Sequence, residues 1–321
     1  MSPARPARPR FSIIVPTFRR PVELARCLDA LIRLDYPRDG FEVMVVDDGS
    51  GASPEDVVER VRDRLNVTLV AQEHNRGPAS ARNAGAARAA GEFLAFTDDD
   101  CAPAPDWLRA VGARLAREPE ALVGGLTING LTENRYAAAS QLLIDYLYSY
   151  YHGKEVGSPE GNEREPSTRF FTTNNLAMSS AAFHETGAFD VTFPLAAAED
   201  RDFCDRWRQR GRPMRHVPGA IVYHFHDLSL RSFCRQHAHY GRGALIFHTL
   251  RARRSQRRIE LEPSSFYMNL LRYPFSRLSE SLRVRSLMAV LLAVSQTAYA
   301  AGFISAYLKR SMRGNGRAGP W

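Results

Sequence analysis

Three consecutive aspartates follow a short apolar run in the sequence, within EFLAFTDDDC at residues 92–101. Unpaired and side by side, such carboxylates repel one another and resist burial. Their oxygens are hard ligands that match Mg²⁺ or Mn²⁺. Because residues two apart in an extended chain point the same way, we expect Asp98 and Asp100 to share one face. The triplet predicts a divalent-cation site; the alternatives are a solvated acidic loop or a helix N-cap just before Asp106.

Two further aspartates follow another apolar run, in VMVVDDGS at residues 43–50. A carboxylate at the end of a strand can accept hydrogen bonds from ribose hydroxyls or from a base N–H. Asp47 or Asp48 is therefore a candidate for binding a nucleoside. A plain Asp-Gly turn is the other interpretation of the same residues.

A third group of acids opens AEDRDFCDRWRQRG at residues 198–211. A positioned carboxylate that takes a proton from a hydroxyl contributes about 10²–10⁴-fold to a rate, so one acid of this group is a candidate general base. Acids in a first helical turn also complement the helix dipole, which is the alternative. His224 and His226 come later, in YHFH, and either imidazole could bind a metal or be structural.

A small-residue stretch, NRGPASARNAG at residues 75–85, predicts a helix that approaches a sheet closely. On such a helix, Arg82 as a cation and Asn83 as an amide could reach a nucleotide. An ordinary alanine-rich helix with a solvated arginine is the alternative.

The elements that position these residues alternate along the first part of the chain. Four apolar runs predict strands, at residues 11–15, 41–46, 67–71 and 92–97. Helical stretches separate them, at residues 21–34, 53–65, 78–90 and 105–117. We expect Ser53 to cap the second helix and Gly91 to close the third.

This alternation predicts a parallel sheet with right-handed crossovers. In such sheets ligands bind outside the carboxyl ends of the strands, where Pro16, Thr17 and the aspartates above are expected to lie. Residues 136–151 predict an aromatic-rich helix, residues 154–167 a mobile loop and residues 220–225 another strand. Tyrosines of that helix could stack on a sugar ring, or form core or interface: Tyr146, Tyr148, Tyr150 and Tyr151.

Seven stretches, in this order and spacing, resemble glycosyltransferase family 2, which has the GT-A fold. They are residues 12–20 (SIIVPTFRR), 43–50, 75–85, 91–101, 174–190 (NNLAMSSAAFHETGAFD), 198–211 and 222–243 (VYHFHDLSLRSFCRQHAHYGRG). The resemblance covers roughly residues 11 to 245. It implies an α/β, Rossmann-like, mostly parallel sheet flanked by helices, which binds a nucleotide sugar.

The resemblance also implies transfer of a sugar from a nucleotide diphosphate to a hydroxyl acceptor, with inversion and with Mg²⁺ or Mn²⁺ as cofactor. Asp200 then resembles the catalytic base, and Asp98, Asp99 and Asp100 match the family's DxD signature. Asp98 and Asp100, with His224 or His226, resemble the metal ligands. The implied nucleotide-binding residues are Pro16, Thr17, Asp47, Asp48, Arg82, Asp98 and Asp99.

Composition limits the partners. Lys and Arg total 43 against 35 acids, a formal charge of +8 that suits nucleic acid, anionic lipid or a phosphorylated substrate. No zinc-finger spacing or RNA-binding motif is present, so no nucleic-acid partner is expected. The four cysteines form no CxxC pair, which is typical of a reducing compartment. We therefore expect a cytoplasmic enzyme. The resemblance to family 2 implies an acceptor that is a saccharide, free or lipid-linked.

The predicted organisation has four parts. Residues 1–10 form a flexible basic arm, residues 11–130 a nucleotide-binding half and residues 131–245 an acceptor half. A helical extension follows at residues 246–321. Within it, residues 286–308 approach the length of a membrane span. Three placements are open for that segment: packing on the enzyme or in a homodimer, lying peripherally on the inner membrane face, or spanning the membrane.

Two other functions fit parts of the pattern. A non-catalytic module could bind nucleotide sugar or polysaccharide on the same scaffold, but the intact acids argue against it. A nucleotidyltransferase also needs a metal and a nucleotide, but it has no equivalent need for a base beside an acceptor. A Rossmann dehydrogenase is disfavoured because no GxGxxG follows the first strand.

Overall fold

A computed structural model describes residues 11–152, 169–193, 197–255 and 262–314. The predicted arm at 1–10 and the predicted loop at 154–167 lie outside the described residues. The chain divides into two compact units. The first comprises Met1–Ile128, Phe170–Pro194 and Phe203–Phe225, and the second comprises Asn129–Arg169, Leu195–Asp202 and His226–Trp321.

The first unit contains the predicted parallel strands. They are β1 (Phe11–Thr17), β2 (Phe41–Asp47), β3 (Val67–Ala71) and β4 (Phe93–Phe96). Strand β1 pairs in parallel with β2 and β4, and β2 pairs in parallel with β3. Every residue of β1, β2 and β4 is buried, as expected of a sheet covered on both faces. The carboxyl ends of these strands therefore meet at one edge, as the sequence predicted.

Four more strands extend the sheet and make it mixed. They are β5 (Cys101–Pro103), β6 (Leu122–Asn129), β7 (Leu176–Ser179) and β8 (Met214–His224). The strand order is β3-β2-β1-β4-β7-β6-β8-β5, and the pairs β4–β7, β6–β7 and β5–β8 are antiparallel. Strand β8 begins six residues before the predicted start at 220. The residues directly after the aspartate triplet form β5, which pairs with the end of β8.

Helices flank these strands. They are α1 (Pro21–Ile32), α2 (Glu55–Glu59), α3 (Pro78–Ala86), α4 (Trp107–Arg117) and α6 (Ser180–Thr186), with the part of α7 (Glu199–Gln209) from Phe203 onward. The helices of the second unit are α5 (Arg135–His152), α8 (Leu230–Ser255), α9 (Ser264–Arg277) and α10 (Leu282–Gly314). Aromatic rings of α6, α7 and the segment between them form one cluster of the core: Phe183, Phe189, Phe203 and Trp207.

The prediction of one helix over residues 53–65 is wrong, because the helix is shorter. Helix α2 ends at Glu59, and turns follow in which backbone N–H groups bond three residues back, as from Val61 to Val58. These tighter turns place Val61 and Leu65 in the hydrophobic core. Ser53 also lies one position before the cap residue, where its Oγ accepts from the Glu55 N–H at 3.3 Å.

Helix α3 ends at Ala86, before the predicted end at residue 90. The backbone beyond it bonds to the neighbouring strands instead. Ala90 N–H donates to the Glu42 carboxylate at 2.7 Å, and Gly91 N–H donates to Ser12 Oγ at 2.8 Å. A Cβ on Gly91 would lie 2.6 Å from the Ser12 backbone nitrogen. Gly91 therefore allows a close approach to β1 and is not the helix cap.

The close approach of α3 to the sheet is confirmed at Gly85. A Cβ there would lie 2.7 Å from Ile14 Cγ2 and 2.9 Å from Val46 Cγ2. We expect Gly85→Val to lower the free energy of unfolding by about 1–3 kcal/mol, because overpacking forces neighbours off their rotamers. Urea denaturation measures the change. Ala87→Val, at the exposed end of the same helix, is the control and should change the stability much less.

In the second unit, α8 and α10 run parallel in close contact. A Cβ on Gly241 of α8 would collide with the Tyr299 carbonyl of α10, and one on Gly302 would collide with the Ala238 carbonyl. Further along, Arg310 Nη1 donates to Thr249 Oγ1 at 2.7 Å. The predicted C-terminal apolar segment is thus packed along α8 by small residues.

His237 of α8 makes the second unit sensitive to acid. It is 1 % exposed, and burial together with the charge of His226 lowers its pKa to about 4. A histidine whose pKa falls on folding stabilises the native state above its unfolded pKa, and that contribution is lost as the pH falls toward the folded pKa. Between pH 7 and 4.5 we expect a loss of about 2–3 kcal/mol from this group. Urea denaturation at both pH values should show a smaller loss for His237→Leu.

Candidate active site

The aspartate triplet lies in a turn directly after β4. Cys101 N–H donates to the Asp98 carbonyl at 3.1 Å, which closes the turn. The prediction that Asp98 and Asp100 share one face of an extended chain is therefore wrong in its premise. Each of the three carboxylates instead meets a different set of cations and donors in the first unit.

Asp98 pairs with the predicted arginine of α3. Arg82 Nη2 lies 2.6 Å from Asp98 Oδ1, and its guanidinium carbon lies 6.0 Å from the centre of the Phe189 ring. Arg82 is 2 % exposed, so the alternative of a solvated arginine is wrong. The Asp98 side chain retains 28 % exposure. This carboxylate is the one of the three that remains most accessible to a ligand from solvent.

A cation that the sequence analysis missed holds the other two carboxylates. Arg20 Nη1 lies 3.0 Å from Asp99 Oδ1 and 2.9 Å from Asp100 Oδ2. Burial opposes the charge of Arg20, but the two carboxylates raise its pKa overall. The sequence feature that could have indicated Arg20 is its position in FRR, three residues after the end of β1. The sequence alone does not show which acid Arg20 contacts.

Asp99 is buried beneath this arginine. Its Oδ2 accepts from Thr17 Oγ1 at 2.8 Å. Burial, together with the charge of Asp100, raises the pKa of Asp99 to about 7, although Arg20 and Thr17 act in the opposite direction. The predicted residue Thr17 therefore contacts the triplet from the end of β1. Pro16, also predicted, precedes it in the strand and is buried.

Asp100 faces the end of β8. Its Oδ1 lies 3.2 Å from His224 Nε2, because the β5–β8 register pairs Cys101 with His224. Burial disfavours the charged imidazole, but the Asp100 carboxylate raises the pKa of His224 above its ordinary value. The structure thus brings together two of the predicted metal ligands, Asp100 and His224, within the first unit. His226 belongs to the second unit.

The chemistry of this donor pair fits a divalent cation. A carboxylate oxygen and an imidazole nitrogen at 3.2 Å are close enough to bind one ion. Mg²⁺ prefers oxygen ligands, whereas imidazole also suits transition metals. Asp100 with His224 therefore fits Mn²⁺ better than Mg²⁺. Proton competition at His224, whose pKa is raised, makes binding weaker at low pH.

The aspartates after β2 have backbone partners. Asp48 accepts from the N–H groups of Arg76 and Gly77 at 2.8 and 2.9 Å. Burial raises the pKa of Asp48, and these two hydrogen bonds partly offset the rise. Asp47 accepts from the backbone N–H and the Oγ of Ser50. Both acids shape the loops at this edge, and nucleoside binding by either stays a prediction.

The predicted base lies in the second unit. Asp200 is in the first turn of α7, is half-buried, and accepts from the Arg201 N–H at 2.7 Å through Oδ1. Two residues later, the fully buried Asp202 lies 2.7 Å from Arg254 of α8. Asp202 therefore has a structural partner, and Asp200 is the more accessible acid of the two.

The four tyrosines of α5 named as candidate sugar contacts divide into two pairs. Tyr146 and Tyr148 are buried, in keeping with core packing. Tyr150 and Tyr151 donate to the Glu262 carboxylate at 3.2 and 2.5 Å. Tyr150 is 40 % exposed, so it is the member of this group that could meet a sugar ring.

A family model for "Glycosyl transferase family 2" matches residues 12–187, more than half of the chain. The chain belongs to glycosyltransferase family 2. The match runs from β1 through the aspartates after β2 and the triplet after β4 to the end of α6. The resemblance seen in the sequence is thereby confirmed.

Curated relatives carry related names. A pre-mycofactocin glycosyltransferase of Mycobacterium tuberculosis is 29 % identical over 243 residues, 75 % of this chain and 48 % of that protein. The hyaluronan synthase of Pasteurella multocida is 27 % identical over 66 % of this chain and 24 % of its own length. The family 2 chain thus spans about half the length of the first of these relatives, and less of the other.

Solved structures share the fold. A mannosyltransferase from Pyrobaculum calidifontis, in complex with GDP-Man and Mn²⁺, aligns over 95 % of this chain and 88 % of its own with a TM-score of 0.61 and 21 % identity. S. aureus TarS residues 1–349 align over 95 % and 92 % with a TM-score of 0.52 and 20 % identity. The family 2 chain has the GT-A fold, with its mixed sheet, flanking helices and a C-terminal helical extension.

Proposed function

We propose that this family 2 chain transfers a sugar from a nucleotide diphosphate donor to a hydroxyl acceptor, with inversion at the anomeric carbon. The observation that carries the proposal is the group after β4. There Asp98, Asp100 and His224 lie at the carboxyl edge of the parallel strands, with Arg20 and Arg82 beside them. This combination of acids and cations suits a diphosphate with a divalent ion.

The chain's own residues would act in three ways. Arg82 and Arg20 provide fixed positive charge beside the diphosphate, whose charge grows as the sugar departs. Thr17 and the loops shaped by Asp47 and Asp48 orient the nucleotide. Asp200 removes the proton from the acceptor hydroxyl, and attack opposite to the leaving group gives inversion.

A divalent cation bound by Asp98, Asp100 and His224 would supply charge neutralisation on the leaving diphosphate. With that charge neutralised, no side chain is needed as a general acid at the leaving group. The donor set favours Mn²⁺. The solved mannosyltransferase with the same fold binds GDP-Man and Mn²⁺, which supports the proposed class of donor.

We propose a saccharide acceptor, free or lipid-linked, in the synthesis of a cell-envelope polysaccharide or glycolipid. Support comes from relatives named hyaluronan synthase, chondroitin synthase and poly(ribitol-phosphate) beta-N-acetylglucosaminyltransferase. The exposed ring of Tyr150, on α5 of the second unit, is a candidate contact for the acceptor.

The products of a donor panel test the proposal. The protein is incubated with Mn²⁺, several UDP- and GDP-sugars and a set of saccharide acceptors. Sugar transfer releases a nucleoside diphosphate, and NMR of the product reports inversion. Release of pyrophosphate would instead indicate nucleotidyl transfer. No turnover with any donor, despite donor binding, would support a non-catalytic binding module.

A further inference from the structure

Helix α10 exposes an apolar stripe on the second unit. Exposed positions recur with the period of one helix face, at 287, 290, 293, 297, 300–301, 304 and 307–308, with Thr297 as a polar exception. Val290, Ile304 and Leu308 are 58, 55 and 53 % exposed. By length and composition, the helix could cross a membrane. Of its most apolar 18 residues, 28 % are buried in the protein. Its outward face is thus much more apolar than a solvated surface requires.

Helix α10 and its neighbour α8 account for the net positive charge of the chain. Helices α8 and α10 together contain eleven Arg and Lys residues and no Asp or Glu. Because the whole chain has a formal charge of +8, the remaining residues sum to −3. On α10 the cations stand at the two ends of the apolar stripe, with Arg283 before it and Lys309 after it. This pattern is complementary to an anionic surface with an apolar interior.

The packing of α8 argues against a membrane span. Helix α8 lies beside the apolar part of α10. The contacts between them run from Gly241 with Tyr299 to Thr249 with Arg310. Arg235 and Arg242 are exposed on α8 at this level. A bilayer crossed by α10 would draw these side chains into hydrocarbon, where charge is costly. With the helix axis parallel to the bilayer plane, the arginines stay in water or among headgroups.

We propose that the outward stripe of α10 docks in the plane of an anionic lipid bilayer, with the cations of α10 at the headgroups. The apolar side chains enter the boundary between headgroups and acyl chains. The binding anchors the second unit to the membrane peripherally. This inference concerns a surface remote in sequence from the triplet, and it does not depend on the proposed reaction.

Vesicle sedimentation of the full chain tests the proposal. We expect binding to vesicles of phosphatidylcholine with phosphatidylglycerol, little binding to phosphatidylcholine alone, and weakening in about 1 M salt, where the Debye length falls to about 3 Å. The double variant Val290→Glu/Ile304→Glu should bind at least about tenfold more weakly, because a carboxylate resists entry into hydrocarbon. Arg283→Gln/Lys309→Gln should lose about tenfold as well, since each cation near an anionic surface strengthens binding several-fold.

Matched controls lie in the first unit. Val191→Glu replaces a valine that is 57 % exposed, and Arg60→Gln removes an exposed arginine of the turn after α2. Both should bind vesicles like the wild type, and circular dichroism should show that all variants are folded. As a second readout, the fluorescence of a Tyr307→Trp variant should shift to the blue with anionic vesicles.

Four results would overturn the proposal. Equal binding to neutral and anionic vesicles would remove the role of the cations. Unchanged binding by the Val290→Glu/Ile304→Glu variant would remove the role of the stripe. Resistance of the bound chain to alkaline carbonate would indicate a span. A dimer in light scattering, abolished by Val290→Glu/Ile304→Glu and accompanied by no vesicle binding, would show that a second copy covers the stripe.

Discussion

Asp200→Asn is expected to lower the turnover of sugar transfer at least about tenfold, and up to about 10⁴-fold, while donor binding stays close to that of the wild type. Asparagine keeps the size of the side chain and can still accept from the Arg201 N–H, but it cannot take a proton from an acceptor hydroxyl. Steady-state kinetics measure the turnover, and calorimetric titration with the donor measures its binding.

The control for this change is another acid in a first helical turn. Asp56→Asn alters an exposed carboxylate in the first turn of α2. If Asp200 only complements the dipole of α7, the two variants should behave alike, with a loss of stability of about 0.3–1 kcal/mol and an unchanged turnover. Equal turnover of Asp200→Asn and the wild type would remove this residue from the role of base.

Asp100→Ala is expected to weaken Mn²⁺ binding at least about tenfold, because it removes the carboxylate that lies beside His224. Electron paramagnetic resonance of free Mn²⁺ measures the affinity without any need for turnover. Mn²⁺ binding should also weaken as the pH falls, because the Asp100 carboxylate raises the pKa of His224 and a protonated imidazole does not bind the metal.

Asp106→Ala is the matched control for the metal experiment. Asp106 is exposed, and its side chain makes no capping hydrogen bond to α4. Its replacement should leave the Mn²⁺ affinity unchanged. The assignment of Asp100 would be contradicted if Asp100→Ala bound Mn²⁺ as tightly as Asp106→Ala.

The parallel half of the fold could be predicted because its strands are continuous apolar runs. Burial on both faces imposes this composition on β1, β2 and β4. The ends of α2 and α3 could not be predicted so well. After α2 the chain continues in tighter turns with bonds three residues back. After α3 the N–H groups of Ala90 and Gly91 donate to Glu42 and Ser12 of the sheet. Local patterns contain no information about such partners.

At the candidate site, the acids could be predicted and their partners could not. Asp98, Asp99 and Asp100 stand out as adjacent like charges, which require compensation wherever they lie. Arg20 did not stand out, because an arginine in the loop after a strand usually lies in solvent. Only the alignment of the ends of β1 and β4 places its guanidinium on Asp99 and Asp100.

The turn after β4 also shows the limit of spacing arguments. The i, i+2 relation of Asp98 and Asp100 assumes extended backbone, and the Cys101–Asp98 hydrogen bond turns the chain instead. Even so, both carboxylates lie beside groups suited to a charged ligand. Arg82 contacts Asp98, and His224 contacts Asp100.

We propose that the carboxylates after β4 would hold a divalent cation beside the diphosphate of a sugar donor. A crystal structure of the protein soaked with Mn²⁺ and a nucleoside diphosphate tests it most directly. We expect an anomalous Mn²⁺ peak beside Asp100 and the phosphates, and we expect Arg82 close to the nucleotide. An edge without ion and nucleotide, with Asp98 and Asp100 directed into bulk water, would contradict it.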